Sequence, residues 1–276
     1  MEKLQAALAK ARAARHEATE TVRPGPVLRD QHVRKPSKSN TTETIWEALP
    51  RFDLSPAVLR QHRIIAGEAN SDATPFDLLR TKIILQMEQN GWSRLAITSP
   101  EPSCGKTTLA CNLALGLGRH TSSRTMLFDL DLGSPSVHEF FDLKMRYGLP
   151  EVLTDMIAFE KQAVRVTDNV AVSISPHPEK DPTRFLMMDR TAEFLDDIQR
   201  DYAPDIMIFD LPSALSSDKA LAFLKNVDCA LIVARAEYTK FKKLDRTEIE
   251  VAANTNVLGV ALNGCRRGTL SDSDLS

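Results

Sequence analysis

Five short apolar segments, separated by helix-like stretches, constrain the fold of this chain more than any other feature. They read RLAIT, TMLFDL, DIMIFDL, CALIVARA and VLGVALN, and they lie between residues 94 and 263. Helical patterns fall between them, including 183–202, 218–226 and 239–255. Strands that are apolar nearly throughout must be covered on both faces, and their alternation with helices favours parallel pairing. The sequence therefore predicts an α/β fold with a parallel sheet and helices on both faces.

The composition is typical of a globular cytoplasmic protein. Of the 276 residues, 42% are hydrophobic and 26% are charged, and no apolar run approaches the roughly 18 residues that a membrane-spanning helix needs. The N-terminal stretch MEKLQAALAKARAARHEATE is charged throughout, unlike a secretory signal. The four cysteines show no CxxC spacing, so we expect reduced thiols rather than disulfides or a metal site. We expect no nucleic-acid partner.

The stretch TSPEPSCGKTTLACNLA, residues 98–114, ends like a phosphate-binding loop. The general pattern G-x-x-x-x-G-K-[ST] is incomplete, because Pro100 holds the first glycine position. A strand precedes the loop and a helix follows it, so loop amides and a helix N-terminus would point at bound phosphates. In such a loop Lys106 would contact the phosphates and the Thr107 hydroxyl would bind Mg²⁺.

Aspartates end two of the predicted strands. Asp129 and Asp131 close TMLFDLD, and Asp210 closes DIMIFD. Because alternate strand residues share a face, we expect Asp129 and Asp131 to project together. Ligands of parallel sheets bind at the carboxyl ends of the strands, where the GKT loop also lies. The combination predicts a site for a magnesium-bound nucleotide.

These motifs resemble those of the bacterial tyrosine autokinases of capsule and exopolysaccharide biosynthesis, relatives of the Min and Par ATPases. The loop SPEPSCGKTT is similar to the S-x-x-P-G-E-G-K-S-T of that family, which also lacks the first glycine. The run DLDLGSPSVHEFF resembles its D-x-D-x-R-x-P-x-x-H-x-x-F motif, DIMIFDLP its Walker B segment, and GVALNG a strand whose asparagine lies near the adenine. The resemblance implies a P-loop NTPase-type fold with ATP and Mg²⁺ as cofactors.

The resemblance also implies roles for individual residues. Lys106, Asp129, Asp131 and Asp210 would be catalytic, with Asp129 a candidate base. Thr107, Asp131 and Asp210 would hold the metal. The residues expected to contact the nucleotide are Pro102, Ser103, Cys104, Gly105, Lys106, Thr107, Thr108 and Asn263.

The chain is predicted to have four parts. Residues 1–20 form an isolated helix, 21–44 a flexible basic linker, 45–268 the ATPase or kinase-like domain, and 269–276 a disordered tail. Residues 1–45 hold nine Lys/Arg against five Asp/Glu, which favours contact with an anionic surface such as the inner membrane. The resemblance implies two kinds of partner: a membrane polysaccharide co-polymerase on a separate chain, and further copies of this chain.

Several departures from the family pattern change the expected activity. Gly133 stands where the family has arginine, and the E-x-x-R-x-x-R oligomerisation motif is reduced to Thr74, Asp77 and Arg80. The three tyrosines, Tyr147, Tyr202 and Tyr238, all precede the C-terminal tail. We therefore predict an ATP-binding, kinase-like regulator that does not phosphorylate its own C terminus.

Two alternatives remain open. One is a Min/Par-type positioning ATPase, although Glu101 occupies the position where those proteins carry a second lysine. The other is a nucleotide-sensing scaffold with little turnover, which the same departures favour.

Overall fold

The computed structural model describes residues 40–69, 71–216 and 219–265. The predicted N-terminal helix, most of the linker and the predicted tail lie outside these residues. The helices are α1 (Asn40–Glu47), α2 (Pro56–Gln61), α3 (Thr74–Asn90), α4 (Lys106–Gly118), α5 (Val137–Phe141), α6 (Leu149–Leu153), α7 (Pro182–Met187), α8 (Asp189–Tyr202), α9 (Lys219–Leu224) and α10 (Phe241–Ala252). The strands are β1 (Arg94–Thr98), β2 (Thr125–Asp129), β3 (Ala163–Arg165), β4 (Val170–Ser173), β5 (Ile206–Asp210), β6 (Cys229–Arg235) and β7 (Asn256–Asn263).

The seven strands form one sheet in the order β3-β4-β2-β5-β1-β6-β7. All neighbouring pairs are parallel except β3 with β4, which pair antiparallel at one edge. The prediction of an α/β sheet with helices on both faces is confirmed, and the fully parallel sheet is corrected at this edge. The strands β3 and β4 are three and four residues long, too short to give a clear sequence pattern.

Alternate strand residues pack into two separate hydrophobic cores, one on each face of the sheet. Phe128 and Phe209 stack across β2 and β5 on one face, with ring centroids 5.3 Å apart. Leu127 and Ile208, their neighbours in the chain, are buried on the opposite face beneath α3 and α4. This double burial is why the strands are apolar nearly throughout.

The folded region begins earlier than the sequence indicated. Residues 40–44, assigned to the linker, belong to helix α1. Trp46 and Leu49 are buried in the core, and the Trp46 indole donates a hydrogen bond to the Asp168 carbonyl at 2.8 Å. Tertiary packing therefore holds this helix, and a segment of threonines gives little sign of it in the sequence.

The pattern over 183–202, which predicted one helix, covers two. Met188 has an extended backbone with φ −63° and ψ 138°, and it separates α7 from α8. The Thr191 hydroxyl donates to the Phe185 carbonyl at 2.5 Å across this break.

Candidate nucleotide-binding site

The loop after β1 turns sharply before helix α4. Ser103 and Gly105 both have left-handed backbones, with φ 62° and 90°. The backbone at Gly105 favours glycine, and a Cβ there would lie 2.0 Å from Asn263 Nδ2 and displace that amide. Helix α4 starts at Lys106, whose side chain is buried. The loop therefore has the strand–turn–helix geometry that presents backbone amides and a helix N-terminus to an anion.

Residues from the β6–β7 side of the sheet hold this loop in place. Asn263 Nδ2 donates to the Cys104 carbonyl at 2.9 Å, and Arg235 Nη1 donates to the Ser103 carbonyl at 3.2 Å. Lys243 forms an ion pair with Glu101. Sequence reasoning missed Arg235 and Lys243, because both lie more than 130 residues beyond their partners.

A second contact from that side involves Cys104. Its buried Sγ lies 3.6 Å from the Thr239 hydroxyl, so the thiol faces away from the loop's open side. Cys104 and Asn263, both expected to contact nucleotide, thus also hold the loop from the β6–β7 side.

Two aspartates lie side by side at the carboxyl ends of β2 and β5. Asp129 and Asp210 are in register across the strand pair, and both are buried. Asp210 Oδ2 accepts a hydrogen bond from the Thr107 hydroxyl at 2.6 Å. Asp129 Oδ2 accepts from the backbone amides of Ser136 and Val137 at 3.0 and 2.9 Å. Among the described residues, the Oδ1 atom of each carboxylate has no hydrogen-bond partner.

Asp131 does not share a strand face with Asp129, because β2 ends at Asp129. It lies in the following loop, where Asp131 Oδ2 is 4.0 Å from Lys106 Nζ. Ser136, which the sequence did not single out, also reaches the site, with its hydroxyl 3.2 Å from the Thr107 hydroxyl.

The electrostatics of the site favour a bound cation. Burial raises the pKa of Asp210 to about 6, although Lys106 and the hydrogen bond from Thr107 oppose that rise. Burial also raises the pKa of Asp129, and the neighbouring Asp210 charge raises it further. Asp210 and Asp131 thus lie near Lys106, with Asp129 beside Asp210, and a bound cation would offset the repulsion among these carboxylates.

The donor set fits Mg²⁺. Carboxylate and hydroxyl oxygens, here those of Asp210, Asp131 and Thr107, are the hard ligands this ion prefers. In the part of the chain that the structure describes, no group of three or more His, Cys, Asp or Glu side chains is arranged to hold a metal. Mg²⁺ commonly binds one or two carboxylates and completes its shell with water and phosphate oxygens.

A cleft of about 580 Å³ opens in front of these groups. Its walls include Lys106, Thr107 and Asp131. Neither Asp129 nor Asp210 is a lining residue, and Asp210 reaches the wall through its hydrogen bond with Thr107. The remaining lining residues are Pro102, Ser103, Gly105, Thr108, Gly133, Ser134, Ser136, Phe140, Pro212, Ser213 and Ser216. The volume is in the range typical of small-ligand sites.

A larger cleft, about 710 Å³, lies at the other end of the sheet. Its walls include Arg51, Arg124 and Arg165, but each guanidinium is already paired within the protein. We therefore place the candidate site at the GKT loop.

Comparison with known proteins gives sequence relatives that are named tyrosine-protein kinases. No family model matches the chain. It is 26% identical over 249 residues to the putative tyrosine-protein kinase EpsB of Ralstonia nicotianae, which covers 87% of this chain and 32% of that protein. It is 28% identical over 241 residues to a putative tyrosine-protein kinase in the cps region of Klebsiella pneumoniae, covering 83% and 31%. The chain thus spans about a third of the length of these relatives.

Solved structures share the fold. The chimerical protein CapA2B2 matches with a TM-score of 0.66 at 21% identity, covering 80% of this chain and 98% of that one. The kinase domain of the Escherichia coli tyrosine kinase ETK matches with a TM-score of 0.63 at 25% identity, covering 70% and 76%. The septum site-determining protein MinD of Pyrococcus horikoshii, in complex with Mg-ADP, matches with a TM-score of 0.54 at 17% identity, covering 66% and 75%.

The expected resemblance is therefore confirmed: the chain is a homologue of the bacterial tyrosine-protein kinases and has the P-loop NTPase fold that their kinase domains share with MinD.

Proposed function

We propose that this chain binds Mg-ATP and acts as a kinase-like regulator of exopolysaccharide or capsule biosynthesis. The observation that carries the proposal is the hydrogen bond from the hydroxyl of Thr107, the threonine of the GKT loop, to Asp210, next to the buried Lys106. The named activities of the relatives and the cps region of one of them support the biological setting.

Each residue has a role that follows from its position. Lys106 and the loop amides would hold the phosphates, and Thr107 with Asp210 would hold Mg²⁺, which neutralises charge on the transferring phosphoryl group. Asp131 lines the cleft and is the better placed carboxylate to accept a proton from an attacking hydroxyl. Asp129 would instead fix the loop that precedes α5, through its two amide contacts.

We further propose that the chain does not phosphorylate itself on tyrosine within residues 264–276. Tyr202 is buried and donates a hydrogen bond to Glu160 at 2.8 Å, and its burial raises its pKa. Tyr238 is 48% exposed, but residues 266–276 contain no tyrosine. Residues 266–276 therefore offer no tyrosine acceptor.

The remnant of the oligomerisation motif is engaged within the chain. Arg80 donates to the Gly116 carbonyl at 2.9 Å and lies 3.1 Å from Asp77. Asp77 also pairs with Arg119 at 2.5 Å. These contacts favour the second candidate function, a nucleotide-sensing scaffold with little turnover, over ring assembly through this helix. The Min/Par alternative has less support, because Glu101 is paired with Lys243.

The partner proposals rest on the resemblance and on the charge of the N-terminal residues. We propose a membrane co-polymerase on a separate chain, and contact of residues 1–45 with an anionic inner-membrane surface from the cytoplasmic side. None of the helices among the described residues is long and apolar enough to cross a membrane. Deleting residues 1–40 should release the protein from membranes in fractionation while leaving nucleotide binding intact.

The deciding experiment incubates the purified protein with Mg-ATP, with and without the candidate membrane partner. Phosphate release and phosphopeptides are both measured, with Lys106→Ala as the inactive variant and Lys242→Ala as an exposed-lysine control. We expect Lys106-dependent nucleotide binding and no phosphate within residues 264–276. Abundant Lys106-dependent phosphate in that segment would refute the proposed lack of C-terminal autophosphorylation.

A further inference from the structure

The cleft extends away from the loop on one side only. In the sheet, β2 and β5 lie on one side of β1, and β6 and β7 lie on the other. Arg235 and Asn263, which hold the loop from the β6–β7 side, are not part of the cleft wall. The Thr107–Asp210 contact lies on the β5 side. If Thr107 and Asp210 hold the metal as proposed, the space beyond them would be next to the terminal phosphoryl group of a bound nucleotide.

That outer part of the cleft is lined by residues following β2 and β5. The β2 side supplies Gly133, Ser134 and Phe140, and the β5 side supplies Pro212, Ser213 and Ser216. Phe140 is the one aromatic residue among the lining residues that the structure describes. The surface thus combines an aromatic ring, small side chains and hydroxyl groups, a combination suited to an aromatic group with a polar end.

Two contacts fix the position of the Phe140 ring. Helix α5, which carries it, is held at its start by Asp129 through the amides of Ser136 and Val137. The His62 ring packs against Phe140 with centroids 4.8 Å apart and an interplanar angle of 37°. Asp129 therefore connects the aromatic wall to the strand pair that carries Asp210.

We propose that Phe140 is the wall against which the ring of an acceptor tyrosine from another polypeptide packs. This inference rests on the proposed function. With the ring on Phe140, the phenol oxygen would lie toward the phosphoryl end of the cleft. In the transfer, that oxygen forms a bond to the γ-phosphorus, the bond from phosphorus to the ADP oxygen breaks, ADP leaves, and the phenol proton passes to a carboxylate or to water. Phe140 binds the acceptor, and His62 is a positioning residue.

The test uses Ala-rich peptides of nine residues that differ only at a central tyrosine, phenylalanine or serine. Binding is measured by titration calorimetry or NMR in the presence of saturating Mg-ADP, and KM and kcat are measured separately with Mg-ATP. Phe140→Ala should weaken binding of the tyrosine and phenylalanine peptides and raise the KM for the tyrosine peptide by about two- to tenfold. His62→Ala should have a smaller effect of the same sign. Phe241→Ala, an exposed aromatic residue outside the cleft wall, is the matched control and should change neither value.

Phe140→Leu guards against a folding defect, because it keeps an apolar side chain of similar size. Unchanged peptide binding in Phe140→Ala would overturn the proposal, and so would loss of Mg-ADP affinity in Phe140→Leu, which would make Phe140 a structural residue. Equal binding of the serine and tyrosine peptides by the unmodified protein would overturn it as well. Failure of the unmodified protein to bind Mg-ADP would instead refute the proposed function, so the two failures are distinguishable.

Discussion

Strand β2 has a buried charged residue at each end, and the two ends differ in how that charge is satisfied. Arg124, which directly precedes the strand, pairs with Glu43, donates to the Tyr202 carbonyl at 3.2 Å and lies 4.9 Å from the centre of the Trp46 ring. Asp129, its last residue, has two amide donors on one oxygen and none from the described residues on the other.

The two ends of β2 therefore serve different purposes: the Arg124 end stabilises the fold, and the Asp129 end belongs to the candidate site. A buried charge with partners holds neighbouring elements together, here helix α1, helix α8 and the sheet. A buried carboxylate oxygen without a hydrogen bond from the described residues is available to a ligand. Asp210, at the end of the neighbouring strand β5, also has an Oδ1 atom without a hydrogen bond from the described residues. The two available oxygens therefore lie at the same edge of the sheet.

The largest effect is expected on stability, at the Arg124 end of β2. Arg124→Ala should lower the free energy of unfolding by about 3 kcal/mol, because it removes a buried cation and the contacts that tie α1 to the sheet. Urea denaturation measures this change. A loss below about 0.5 kcal/mol, the range of ordinary surface substitutions, would show that the Arg124 contacts do not stabilise the fold.

At the other end, Lys106→Ala should reduce nucleotide affinity about ten- to a hundredfold. The substitution removes charge-assisted contacts worth on the order of 1.5–3 kcal/mol. Calorimetry with Mg-ADP measures the affinity, and the exposed Lys242→Ala variant serves as a control for charge. Equal affinities in Lys106→Ala and the unmodified protein would remove this loop from the proposed site.

Asp210→Asn should stabilise the free protein while it weakens Mg-nucleotide binding. The pKa of Asp210 is raised from 3.8 to about 6 in the folded state, so the folded state holds more protons between those pH values. Stability therefore falls as pH rises through this window, and the loss is complete above about pH 6. The neutral amide avoids that loss.

The stabilisation should be on the order of 1–2 kcal/mol near pH 7.5 and should vanish near pH 4. Thermal melts of both proteins at the two pH values, without nucleotide, measure the difference. A variant less stable than the unmodified protein at pH 7.5 would show that Asp210 is satisfied in the free protein.

The smallest effect is expected for Arg51, which lies at the same edge of the sheet as Arg124. Arg51 pairs with Asp168 at 2.6 Å, but both side chains are largely exposed. Arg51→Ala should change the free energy of unfolding by less than about 1 kcal/mol, because exposed pairs contribute little. Comparing the unfolding free energies of Arg51→Ala and Arg124→Ala shows how much of the Arg124 effect comes from its burial.

The parts of the site that the sequence predicted are those with local signals. Lys106 and Thr107 follow a strand and begin a helix, and Asp129 and Asp210 end apolar strands. Each pattern is contained within about ten residues, and parallel topology then brings the strand ends to one edge. The same reasoning predicted the α/β fold and both helical layers.

The parts that could not be predicted depend on contacts between distant residues. Arg235 and Lys243 reach the loop through contacts whose partners lie 132 and 142 residues away. Helix α1 depends on the burial of Trp46, which a local pattern does not show. Asp131 was placed on a strand face, but β2 ends two residues earlier, and strand ends are poorly defined by periodicity.

The hydrogen bond from Asn263 to the Cys104 carbonyl has a consequence for how the protein is made. The two residues are 159 positions apart, and β7, which ends in Asn263, is the last strand of the sheet along the described chain. At 5–20 residues per second, roughly 10 to 30 s of translation separate them. During that time the nascent chain carries the GKT loop without this support on the ribosome. The support from Asn263 is thus in place only after β7 has been synthesised, later than the other strands of the described sheet.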